Sequence, residues 1–157
     1  MRADMVMSYV RDLLEQLTGV RPEPDNDGDL PVEYAGALFY VRVVNPQDAI
    51  VQVFSVGIAD IEPTPDLLAA INAINTQIGF ARAFHVAGQV LIESEMWGSD
   101  VNPYNFEHAC RNVARATDAS MPGLLERFGG TPRFELSKSP TYEPPVRPAS
   151  RTAGPYL

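Results

Sequence analysis

Val6, Tyr9, Val10, Leu13, Leu14 and Leu17 recur at spacings of three and four, so they share one face of a helix over about residues 4–18. Gly19 supplies its stop. Arg21–Asp29 is polar, acidic and broken by Pro and Gly, which makes it a loop. Leu30–Tyr34, Ala37–Val44 and Ala49–Gly57 are rich in β-branched and aromatic residues and predict three strands. The last two are joined by the turn Asn45-Pro46-Gln47-Asp48. Thr64 followed by Pro65 caps and opens a second helix. Its stripe is Leu67, Leu68, Ile71, Ile74 and Ile78, and Gly79 closes it. Phe80–Val86 and Gln89–Trp97 flank Ala87-Gly88 as a hairpin. From about Asn105 the stripe Phe106, Cys110, Val113, Thr117, Met121, Leu124 and Phe128 predicts a long helix ending at Gly129-Gly130. Pro122 predicts a kink or break near Ala119–Met121. The order α-β-β-β-α-β-β-α describes an α+β domain, an antiparallel sheet backed by helices.

A two-residue turn at Ala87-Gly88 sets Arg82 opposite Glu93, Phe84 opposite Leu91 and Phe80 opposite Glu95, all on one face. The other face carries Ala81, Ala83 and His85 against Ser94, Ile92 and Val90, small enough for a helix to sit close. Apolar content on both faces predicts that both are covered. The domain's own helix accounts for one, and a partner chain, a bound peptide or another helix accounts for the second. Phe80, Arg82, Phe84, Leu91, Glu93 and Glu95 are therefore the candidate binding surface, an apolar strip with a charged rim. Trp97 is expected to cap the core, and Asn72 and Asn75 to edge a solvated face.

The chain has 157 residues, 45% of them apolar, which suits one domain with a core of its own. Six of its 14 prolines lie between Thr131 and Leu157. That density stops helix and sheet from propagating, so residues 1–130 are expected to form the domain and 131–157 a Pro-rich flexible tail. The tail's Arg133, Lys138, Arg147 and Arg151 outweigh Glu135 and Glu143, on a chain whose overall net charge is −8. Such acidity disfavours nucleic acid and anionic membranes as partners. The N-terminal stretch carries Arg2, Asp4, Arg11 and Asp12, unlike a signal peptide, and no run approaches the roughly 20 apolar residues of a membrane span. With Cys110 as the only cysteine there is no intrachain disulfide, and a cytoplasmic location is expected.

Catalytic and metal chemistry find little to build on. An EF-hand loop starting at Asp25 would put Leu30 where the turn glycine belongs and Gly36 where the bidentate glutamate belongs, so Asp25–Asp29 reads as a solvated acidic loop. His108 and Cys110 are two apart on a helix and point away from each other; Cys110 belongs to the apolar stripe. No nucleophile elbow, phosphate loop or zinc motif frames His85, His108 or the glutamates, and no cofactor is implied. Glu107 and Arg111 make a surface pair, and Arg82 with Glu93 a cross-strand pair that fixes register.

The run Leu67–Gly130 resembles the actinobacterial YbjN-type branch of the type III secretion chaperone-like superfamily. The points of likeness are the helix Leu67–Asn75, the hairpin turning at Gly88, the acidic strand Leu91–Glu95, Thr117-Asp118 in the last helix and the terminal Phe128-Gly129-Gly130. The element order agrees over residues 4–130. The resemblance implies a small, acidic, non-enzymatic domain that binds client protein or peptide segments along exposed sheet and helix surfaces and commonly pairs as a homodimer. Two other readings stand beside it: a homodimer whose open sheet serves self-association alone, and a small-molecule-binding or enzymatic domain using His85 with Glu93 and Glu95.

Overall fold

The computed structural model describes residues 2–34 and 36–134. Most of the Pro-rich segment, residues 135–157, lies outside the described residues. Helix α1 (Ala3–Thr18) leads into strands β1 (Leu30–Tyr34), β2 (Ala37–Val44) and β3 (Ile50–Ala59), then helix α2 (Pro65–Asn75). Strands β4 (Arg82–Val86) and β5 (Gln89–Trp97), helix α3 (Pro103–Phe128) and the two-residue strand β6 (Thr131–Pro132) complete it. The sheet runs β1-β2-β3-β5-β4 with every pairing antiparallel, and β6 adds to β3. This is the predicted α+β order, lengthened by one short strand.

The caps expected from sequence are in place. Gly19 adopts φ 78° and returns its N–H to the Glu15 carbonyl. Thr64 Oγ1 accepts from the Leu67 N–H at 3.2 Å, with Pro65 at the first helical position. Asn102 caps α3 through the Asn105 N–H at 2.9 Å. Pro122 does not break the helix into two: α3 continues through it to Phe128. Thr117, Met121 and Leu124 are buried on either side, and that anchorage outweighs the roughly 3 kcal/mol a mid-helix proline costs.

One face of the sheet makes the core. Leu30, Val32, Phe39, Val41, Val51, Val53, Ala83, Val90 and Ile92 meet Val6, Val10 and Leu14 of α1 and Phe106, Cys110 and Val113 of α3. Gly57, at a bulge between Val56 and Ile58, lets α3 come close, because a Cβ there would overlap Met121 Sδ. Packing continues past the boundary expected at residue 130. Thr131 and Pro132 pair with Ala59 and Ile58, the Arg133 N–H donates to the Gly57 carbonyl at 2.9 Å, and Phe134 is buried.

Helix α2 secures the β4 edge. The Asn75 amide donates to the Ala83 carbonyl at 2.9 Å and accepts from the Ala83 N–H at 2.7 Å. Asn72 and Asn75 are both exposed, as expected, and Asn75 is in addition part of a tertiary clamp. The clamp occupies one pairing position of an edge strand, which blunts the edge. Asn75→Ala is expected to cost about 1–2 kcal/mol and to accelerate exchange of the Ala83 amide, measured by hydrogen exchange.

Candidate functional site

The hairpin has the register read from its turn. Ala87 and Gly88 adopt φ 48° and 74°, a turn of the left-handed type, and Arg82↔Glu93, Phe84↔Leu91 and His85↔Val90 are opposed. Its Ala83 side faces the helices, as expected. The opposite face carries Arg82, Phe84, Leu91, Glu93 and Glu95, and none of the three helices covers it.

That open face extends across the sheet. Val56 opposes Leu91, and Leu91 opposes Phe84, giving an apolar row of half-buried side chains, with Leu38 on the same face of β2. The next row runs Tyr40, Phe54, Glu93, Arg82, and a third runs Arg42, Gln52, Glu95. Tyr40 and Phe54 stack with centroids 5.6 Å apart. The face therefore grades from apolar to charged along the strand direction. Leu38, Tyr40, Phe54 and Val56 were not among the residues expected on this face, although their alternation within β2 and β3 is visible in the sequence. Both faces of those strands carry large apolar residues, so alternation alone did not single one out.

The charged end is tightly organised. Arg82 donates to Glu93 Oε2 through Nε at 3.1 Å and Nη2 at 2.8 Å, and reaches Glu95 Oε2 at 3.2 Å. Its guanidinium lies 5.3 Å from the centre of the Phe84 ring. The hydrogen bond to Glu93 raises the Arg82 pKa above its ordinary value, so the cation persists at any physiological pH. Glu93 is only 6% exposed, which makes Arg82 the group that balances a buried carboxylate. Glu95 also accepts from Gln52 Nε2 at 2.7 Å.

The same device recurs on β2. Arg42 grips Asp29 through two bonds of 2.5 Å and lies 5.2 Å from the centre of the Phe54 ring. Asp29 is 5% exposed, and Asp25 Oδ1 accepts from the Asp27 and Asp29 N–H groups. The acidic loop is therefore folded onto the sheet at Asp29 and not solvated throughout, because β2 places a guanidinium within reach.

Phe80 departs from the expected pairing with Glu95. It lies outside β4 with φ 56°, and its side chain is 92% exposed. The strand pairing ends at Arg82↔Glu93, and the Phe80 carbonyl accepts from Ser94 Oγ at 2.8 Å. Phe80, Arg82, Glu93 and Glu95 instead help to line a groove of about 920 Å³ between the end of β5 and the first half of α3. Trp97 lines it as well and is 51% exposed, so it is not the core cap expected.

The histidine readings separate. His85 Nε2 lies 2.8 Å from the Ile61 carbonyl, a satisfied packed histidine on the opposite face from Glu93 and Glu95, so the structure does not assemble that combination. His108 is exposed against Tyr104, while Cys110 is buried. Among the described residues no group of three His, Cys, Asp or Glu side chains is placed to hold a metal ion. Desolvation pushes the Cys110 thiol up to about 12. It is expected to resist iodoacetamide in the folded protein and to react only on unfolding, as mass spectrometry across a urea series would show.

The fold is a small α+β domain, a sheet backed by helices on one side and, among the described residues, left open on the other. The chain belongs to the family described as "T3SS (YopN, CesT) and YbjN peptide-binding chaperone 1" (TY-Chap1), whose model matches residues 4–136. Two solved structures share the fold at low identity. A chain of the ExsC–ExsE complex is 13% identical with a TM-score of 0.51, covering 73% of this chain and 92% of that one. A chain of the ExoU–SpcU heterodimer from the type III secretion system of Pseudomonas aeruginosa is 14% identical with a TM-score of 0.52, covering 71% and 94%. No curated protein sequence matches the chain. Among the described residues, no helix is long and apolar enough to cross a membrane.

Proposed function

We propose that this protein binds segments of other proteins non-covalently on the open sheet face, as a chaperone-like domain, with Phe84 and Leu91 as apolar anchors and Arg82, Glu93 and Glu95 as the charged rim. The observation that carries this reading is the row Val56–Leu91–Phe84, which among the described residues no helix covers, in a domain whose helices pack on the other sheet face. Membership of a peptide-binding chaperone family supports it, as do the two similar structures, each of which comes from a complex of two different proteins. Phe80 enters through the adjoining groove and not through the strip.

The test is affinity capture from lysate of the source organism, using the full chain and the Phe84→Asp/Leu91→Asp double variant as baits. A protein held by the first and lost by the second, with the variant's circular dichroism unchanged, is the expected result. If both baits hold the same proteins, or neither enriches any, the strip has no client. If sedimentation shows that the native chain pairs and the variant does not, a second copy covers the strip and the homodimer reading replaces this one.

A further inference from the structure

The groove beside the strip has a chemistry of its own. Beyond Arg82, β4 no longer accompanies β5, so through Glu95–Trp97 β5 is paired with β3 on one side only. In a two-residue hairpin the residues flanking the turn exchange hydrogen bonds and every second pair repeats this, so Gln89, Leu91 and Glu93 face β4 with their backbone groups. Glu95 and Trp97 face the same side. The Gly98 N–H, of opposite parity, donates to the Ala49 carbonyl at 2.7 Å on the β3 side, which agrees with that assignment. The Trp97 carbonyl opens the 3-10 turn Gly98–Asp100, but among the described residues no hydrogen bond meets the outward backbone groups of Glu95 or the Trp97 N–H. The far wall of the groove is the α3 face bearing Tyr104 and His108. Phe80, Trp97 and Tyr104 are exposed by 92%, 51% and 71% around the opening, an unusual density of aromatic surface. The charged lining is Glu93, Glu95 and Asp100 against the single cation Arg82, which Glu93 and Glu95 share, so the carboxylates outnumber the cation by two.

We infer that this groove takes an extended, cationic segment of a partner protein, its backbone pairing with Glu95 and the Trp97 N–H, an apolar side chain among the aromatics and an Arg or Lys beside Glu95 and Asp100. The inference rests on the peptide-binding reading and names the kind of segment bound. Charge selects the occupant. A second copy meeting the groove through a twofold axis would set Glu95 and Asp100 against their own duplicates, a like-charge contact, whereas a basic segment neutralises both.

Trp97 is the only tryptophan, so its emission in the full chain reports this groove directly. The probes are three short synthetic peptides: one alternating leucine with arginine and threonine, one with glutamate for arginine, and one with serine for leucine. The arginine–leucine peptide is expected to shift Trp97 emission saturably and to bind at least about tenfold more tightly than either counterpart at moderate salt. That preference for arginine over glutamate should collapse in Glu95→Gln/Asp100→Asn. Equal binding of the arginine and glutamate peptides overturns the inference, as does emission that no peptide moves. Native sedimentation as a dimer with Trp97 shielded from iodide also overturns it, because the occupant is then a second copy. The two claims fail separately: a partner lost with Phe84→Asp/Leu91→Asp while Trp97 stays undisturbed keeps the strip and removes the groove.

Discussion

Gly130→Ala is expected to destabilise the domain by about 2–4 kcal/mol, the sum of a left-handed backbone penalty and an overpacking cost. Gly130 adopts φ +93°, where an L side chain is strained. A Cβ there would also stand 2.5 Å from Ile58 Cγ2 and 2.8 Å from the Ala59 carbonyl oxygen. The Ile58 side chain is fully buried and the carbonyl is backbone, so neither can yield cheaply. The residue turns the chain from the end of α3 onto β3, and substitution there should also loosen the β6 pairing that follows. Urea denaturation monitored by circular dichroism measures the loss; a change under about 0.5 kcal/mol, the range of ordinary surface substitutions, contradicts the close approach.

Phe84→Asp/Leu91→Asp is expected to leave the domain folded and to weaken binding of the captured segment about 100-fold or more, on the order of 2.7 kcal/mol. Both side chains point off the open face and are only half-buried, while Ala83, Val90 and Ile92 beneath them keep the core intact. In a complex, however, each aspartate would be desolvated against an apolar partner surface, beside Glu93 and Glu95. Titration calorimetry with the captured segment reads the loss, and a change of less than about threefold places the contact elsewhere.

The hairpin was legible because its turn chemistry and the period-two alternation specify register together; Ala87-Gly88 fixes the pairing and every opposed pair follows. The caps at Gly19, Thr64-Pro65 and Gly129-Gly130 were legible for the same local reason. What escaped is tertiary. Asn75 became a clamp because α2 lies along β4, a placement no local pattern encodes. The expected solvated loop at Asp29 failed because its partner Arg42 sits on a different strand. Phe80 continues an apolar run, yet its backbone turns left-handed and leaves the ladder, which set the end of β4 and opened the groove. The open face itself was only half visible. Apolar residues on both sides of the hairpin implied two covers, and only the structure shows that α1 and α3 share one side.

Hydrogen–deuterium exchange of the full chain, with and without a partner segment captured from lysate, tests peptide binding on the open face most directly. New protection is expected across Arg82–Trp97 and in β3 around Phe54 and Val56, with α1 unchanged. Protection confined to α1 or the outer surface of α3, with the hairpin exchanging as it does alone, would contradict it.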